Sequence, residues 1–134
     1  MDYRDNTQLH DAELQAIHVN RETGIARLDF QYDVGENITV HLKGLKKIRC
    51  EDFTMQNVVC NFLRSSVEDL TSKDYVYWVN WVCSLSDAPQ WTPEHVRKAL
   101  LVACQQRSLE LIILIPSAGA QLAAICEESQ IEWL

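Results

Sequence analysis

Glycine is scarce in this chain: there are four in 134 residues, and none stand in a G-x-G-x-x-G or P-loop array. A nucleotide cradle needs glycines so that backbone N–H groups can close on phosphates, so nucleotide chemistry is not expected. Long apolar runs are missing as well. The longest, Leu109 to Pro116, is broken by Glu110 and falls far short of the roughly 20 apolar residues that span a bilayer, so no membrane segment is expected. Positive charge is in deficit, with 12 Lys+Arg against 19 Asp+Glu and a formal net charge of −7. That balance opposes attraction to a phosphate backbone, and no nucleic-acid partner is expected. The five cysteines (Cys50, Cys60, Cys83, Cys104, Cys126) are odd in number and contain no Cys-x-x-Cys pair, which argues against a disulfide framework. Cys60, Cys83 and Cys126 have apolar neighbours, the setting of buried thiols in a reducing compartment. Met1 to Asn6 is polar and acidic, unlike a secretory leader, and a cytoplasmic location is the expectation.

What is present is ordinary globular material. Hydrophobic residues make up 47% and charged residues 23%, so a folded domain with one core is expected over residues 1–134. Ala26, Leu28, Phe30 and Tyr32 alternate with Arg27, Asp29 and Gln31, and Ile38, Val40 and Leu42 alternate with Thr39, His41 and Lys43. A period of two marks strands with one wet face. The links Asn20 to Gly24 and Asp33 to Asn37 have the length and turn chemistry of hairpins. Ala12 to Val19 reads as the preceding strand, with a β-bulge between Leu14 and Ile17 where the apolar face shifts, and Leu45 to Cys50 as a fourth strand of the same meander.

Past Phe53 the period changes. Met55, Val58, Val59, Phe62 and Leu63 fall at helical spacing with Thr54 as N-cap, the weaker alternative being a strand through Val58, Cys60 and Phe62. Asp74 to Leu85 fits both periods, and its Tyr, Val and Trp content favours a strand. Thr92-Pro93-Glu94 combines an N-cap residue, proline at the first helical position and an acid in the first turn, so a helix is expected to about Gln106. Leu109 to Ile115 is a strand, Ile131 to Leu134 a short closing strand, and Ala120 to Glu127 fits a helix or a hairpin arm. The fold class is therefore α+β: an antiparallel β-meander or sandwich-like sheet with one or two helices packed on it.

Leu9-His10-Asp11-Ala12-Glu13-Leu14 gathers an imidazole and two carboxylates at the entrance of the first strand. His10 and Asp11, with His41, form the candidate polar site. The plainer reading is that His10 or Asp11 bonds backbone groups where the strand starts. His10, His18, His41 and His95 lack the spacing of metal ligands on one helix or strand, although His18 and His41 could meet across strands. There is no G-x-S-x-G elbow, no catalytic residue is assigned, and neither a metal nor a cofactor is implied. Tyr75, Tyr77, Trp78, Trp81 and Trp91 form the candidate interface, because aromatic side chains dominate both cores and contact hot spots.

Three stretches carry a resemblance: Leu9 to Leu14 with Ile17, Gln56-Asn57-Val58-Val59, and Ile115-Pro116-Ser117-Ala118-Gly119-Ala120. In this order they resemble a loose set of small bacterial proteins that open with an "HDA" signature before a β-meander. They close with a strand, a "P-S-x-G" turn and another strand. Similar architectures occur among immunity proteins that neutralise polymorphic toxins. The resemblance implies a β-rich, sandwich-like domain and turns Ala120 to Glu127 toward strand. It supplies no catalytic residue.

The first functional expectation is a non-enzymatic binding protein, of the immunity type, whose acidic surface (Asp2, Asp5, Asp29, Asp33, Glu36, Glu51, Asp52) meets a basic protein partner. The second is a small hydrolase or metal-dependent enzyme using His10, Asp11 and His41. The third is a homodimer formed through Trp78, Trp81 or Trp91.

Overall fold

A computed structural model describes residues 9–32 and 35–134, so Asp2, Asp5 and Asp33 lie outside the described residues. The alternating segments form strands β1 (Glu13–Asn20), β2 (Ile25–Gln31) and β3 (Asn37–Lys43) of an antiparallel meander. The register of β1 on β2 slips between Leu14 and Ala16. That bulge turns Leu14 inward on one side and keeps His18 outward on the other.

Strand β4 (Lys47–Glu51) leaves the meander and pairs with β7 instead of β3. Gly44 explains the departure. Its φ of +63° bends the chain, and an added Cβ would collide with the Glu127 side chain, so β3 and β4 run on past a corner rather than folding into a hairpin. The partner strands turn the same corner: β7 (Gln121–Cys126) runs through Glu127 into β8 (Glu128–Trp133), with β7 on β4 and β8 on β3. With β5 (Val58–Arg64) and β6 (Glu110–Ala118) the order is β4-β7-β6-β5-β1-β2-β3-β8 in one antiparallel eight-stranded sheet.

The two halves of that sheet enclose one core. Leu14, Leu28, Phe30, Val40 and Leu42 from the meander side pack with Val59, Phe62, Ile112, Leu114, Leu122 and Ala124 from the other. Phe30 and Phe62 meet edge to face at 5.8 Å between centroids, the favoured geometry of an aromatic pair. Strands β6 and β7 are buried on both faces, and Leu111, Ile113, Ala123 and Ile125 form a second core with two helices, α1 (Ser72–Val82) and α2 (Glu94–Gln105). The result is three layers: the meander half, the β4–β7 half and the helices. Among the described residues no element covers the outer face of the meander half.

Besides the placement of β4 outside the meander, three further expectations are corrected. Residues 58–64 are strand β5, not helix. Register shifts at Val58/Val59 and Val59/Asn61 put Val59 and Phe62 in the inner core while Leu63 faces the helices, and a twice-irregular strand buried on both sides imitates helical spacing. Residues 72–82 are helix, not strand. Thr71 and Asp74 form a reciprocal capping box at 3.1 Å in each direction, and Tyr75, Trp78, Val79 and Val82 make the buried face, a stripe at i, i+3, i+4 and i+7. In α2 the N-cap position is Pro93, without a side-chain cap bond, rather than Thr92.

Candidate functional site

The three stretches that carry the resemblance meet at one junction, where the chain enters β1 beside β5. Asp11 adopts a left-handed φ of +68°, which short polar residues tolerate, and its N–H donates to the Val59 carbonyl at 2.9 Å. Val59 N–H returns a bond to Ala12 O at 2.9 Å. His10 Nδ1 donates to Cys60 O at 2.7 Å, and its Nε2 lies 3.6 Å from the Asp11 carboxylate. Asn57 is buried and bonded through every polar side-chain atom: Nδ2 donates to Leu14 O at 3.2 Å and Thr54 O at 2.8 Å, while Oδ1 accepts from Thr54 N at 2.8 Å and Ala120 N at 3.0 Å. Gly119 (φ +79°) passes so close that a Cβ there would lie 2.5 Å from both Asn57 Oδ1 and Gln56 O. In physical terms the junction is a knot of backbone hydrogen bonds tying β1, β5 and the β6–β7 hairpin.

His41 is not brought to this junction. It stands on the outer face of the meander, in a cross-strand row that reads His18, Arg27, His41 and Gln130 on β1, β2, β3 and β8. His18 and His41 therefore share a face, but β2 separates them and Arg27 lies between. The adjoining row is Ala16, Asp29, Thr39 and Glu132. Asp29 is the hub: its carboxylate accepts from His18 Nε2 at 3.1 Å, Thr39 Oγ1 at 3.4 Å and Arg27 Nη2 at 3.5 Å, with Arg27 Nε forming an ion pair at 3.1 Å. His41 Nε2 lies 3.8 Å from Glu132. Above these rows opens a cleft of about 500 Å³ lined by Arg27, Asp29, Thr39, His41 and Glu132 among others. Among the described residues no group of three or more His, Cys, Asp or Glu side chains is placed to hold a metal ion.

The aromatic residues divide between inside and outside. Tyr75 (7% exposed) and Trp78 (9%) pack on the β6–β7 face, whereas Tyr77 (58%) and Trp91 (66%) face outward. Trp81 is half-buried, edge-on to Trp78 and covered on one side by the Arg49 guanidinium. Val76, Tyr77, Trp81 and Pro89, with Lys73 and Asn80, line an open groove of about 690 Å³ along the outside of α1. Of the surface acids, Asp29 and Glu51 are engaged by Arg27 and Arg49. Glu36 and Asp52 are free of basic partners among the described residues and act on neighbours instead: Glu36 with Asp11 helps burial raise Tyr32, and Asp52 with Glu51 helps burial raise Cys50.

Sequence reasoning missed Arg27, Thr39 and Arg49 as site-forming residues. The signal for the first two was the alternation itself, since polar residues of β2 and β3 with equal parity must share one face. Comparison of the chain with protein-family models, with curated proteins and with solved structures finds no match. No helix among the described residues is long and apolar enough to cross a membrane.

Proposed function

We propose that this chain is a non-enzymatic binding protein of the immunity type, which engages a positively charged protein through the outer surface of α1 and the loop that follows it. The observation that carries the reading is the outward presentation of Tyr77 in the groove it lines with Val76, Trp81 and Pro89, together with the exposure of Trp91 in the loop that follows α1. Large aromatic side chains at the centre of a contact bury much area at small entropic cost and supply most hot-spot energy. Trp81 is held in place by Arg49 beneath the groove, so the lining is preorganised before any partner arrives. The net charge of −7 favours encounter with a basic partner and mainly raises the association rate.

The test is quantitative capture by the affinity-tagged protein at native expression, repeated at low and high salt. The reading expects a basic protein whose recovery falls with salt and with Tyr77→Ala. Recovery of the same protein by Tyr77→Ala and Trp91→Ala at wild-type yield would refute it.

One observation favours a catalytic reading: His18 Nε2 is held 3.1 Å from Asp29, and His18, Arg27 and His41 line a common cleft of about 290 Å³. An imidazole oriented by a carboxylate beside a guanidinium can move a proton next to an anion. A hydrolytic activity abolished by His18→Ala would establish it.

A further inference from the structure

The two ends of the sheet order are unlike. Strand β4 carries Lys46 just before it, Lys47 and Arg49, and Arg49 joins its outer side to α1 through Trp81 and Ser84. Basic residues and a covering helix are the usual protection of an edge. Among the described residues strand β8 has neither: it pairs only with β3, contains no lysine, arginine or proline, and places Glu128 and Glu132 on its outer face.

Leu134 N–H donates to Asn37 O at 2.9 Å. By the alternation of an antiparallel ladder, residues 128, 130 and 132 then also turn their backbone groups toward β3, while Ser129, Ile131 and Trp133 direct N–H and C=O to the open side.

We infer that β8 is a docking edge that takes up an extended, positively charged segment of a partner protein as an added strand. The inference rests on the preceding reading for the sign of the partner's charge and on nothing else in it, since the surface is a different one. An added strand bonded to Ser129, Ile131 and Trp133 makes its closer, non-hydrogen-bonded pairs at Glu128, Gln130 and Glu132. Their side chains extend the rows of the outer face. A lysine or arginine opposite Glu132 meets a carboxylate that is 55% exposed and held only 3.8 Å from His41, and its stem lies at the mouth of the 500 Å³ cleft. Glu128, 68% exposed and 3.8 Å from Lys43, offers a second contact of the same kind.

A second copy of this chain is the poorer occupant. Two β8 strands paired about Gln130 set Glu128 against Glu132, and paired about Ile131 they set Gln130 against Glu132, so neither register gives a carboxylate a cation. Like charges directly opposed across a ladder are destabilising.

The probe is a short acetylated peptide alternating lysine with valine, compared with its glutamate counterpart. The readout is amide hydrogen exchange with fluorescence titration. The inference expects saturable binding of the lysine peptide and slowed exchange at Ser129, Ile131 and Trp133. It also expects binding of the glutamate peptide to be about tenfold weaker or worse, as several opposed charge pairs would make it. Ser129→Pro, which removes an outward donor but no bond to β3, should abolish binding, whereas Ser129→Ala and Tyr77→Ala should keep it. The inference is overturned by lack of saturation, by protection confined to other amides, or by equal binding to Ser129→Pro. Slow exchange of those amides in the free protein together with a sedimenting dimer would overturn it in favour of self-pairing. Loss of binding in Tyr77→Ala would also overturn it, by placing the peptide in the groove, whereas failure of the groove variants alone leaves it standing.

Discussion

Arg49, from an edge strand, lies 4.3 Å from the Trp81 ring centroid and donates through Nη1 to the Trp81 carbonyl at 2.8 Å. The same nitrogen reaches Ser84 Oγ at 2.9 Å, and Nη2 pairs with Glu51. Helix α1 has no basic residue in its own last turn, so a side chain more than thirty positions earlier satisfies its C-terminal carbonyl and complements its dipole.

Because the Arg49 side chain is only 10% exposed, removing it strips several charge-assisted bonds at once. Arg49→Ala is expected to lower stability by about 3 kcal/mol, from the lost bonds and the cation–π contact together. Arg49→Lys should recover less than half, because an ammonium cannot reach several acceptors while lying flat on an indole. Urea unfolding would show a lower midpoint at unchanged slope. A change below about 0.5 kcal/mol, the size of an ordinary surface substitution, would contradict the role.

The junction of β1, β5 and the β6–β7 hairpin makes a separate expectation. Asn57→Ala strips the buried Leu14 carbonyl and Ala120 N–H of their Asn57 bonds and also removes the two bonds that fix the Thr54 backbone, a loss of about 3 kcal/mol. Gly119→Ala should be of similar severity, since it combines a positive φ with a collision against Asn57 and Gln56. His10→Ala removes one partly exposed bond and should cost about 1 kcal/mol. Thermal denaturation of the three variants would give this order, and a His10→Ala effect as large as that of Asn57→Ala would break it.

Much of this was legible in the sequence. The alternation of β2 and β3, the bulge in β1 and the helix after Pro93 follow from local periodicity and turn chemistry. The junction was visible as three marked stretches but not as one place, because nothing local says that Asn57 meets Gly119 and Ala120. Strand β5 was illegible for a physical reason: its bulges move the apolar face, and both faces are buried. Helix α1 could have been recognised from Thr71 and Asp74, whose capping box outweighs the small strand preference of Tyr, Val and Trp. The Asp29 hub required the register of β1 on β2 and of β2 on β3, and Arg49 required the tertiary fold.

The capping box is itself testable. Thr71→Ala should lower stability by about 1 kcal/mol, and Asp74→Ala, which removes the reciprocal bond to Thr71 N–H, by a similar or smaller amount. Urea midpoints would measure both, and a neutral Thr71→Ala would show that tertiary packing alone fixes the start of α1.

Burial pushes the Cys104 and Cys126 thiols up to about 12, with neighbouring Cys83 adding to the first and Glu110 to the second. In the unfolded chain these thiols ionise near 9. Between those values the folded state holds protons that the unfolded state has released, so stability is complete below about pH 9 and falls as pH rises toward 12. Chemical denaturation across that window should show a decline that is shallower in Cys104→Ala/Cys126→Ala. At neutral pH an aromatic disulfide reagent should titrate the partly exposed Cys50 and Cys60 first, and Cys83, Cys104 and Cys126 only on unfolding. Fast native reaction of Cys104 would contradict the core placement.

The central claim is that the histidine and aspartate at the entrance to β1 hold the fold, while recognition resides on the outer side of α1. The most direct measurement compares two double variants, Tyr77→Ser/Trp91→Ser and His10→Ala/Asp11→Asn, for stability and for retention of the captured basic protein. The account predicts that the first stays as stable as wild type and loses the partner, and that the second loses stability and keeps the partner. Retention by the first together with loss by the second at wild-type stability would contradict it.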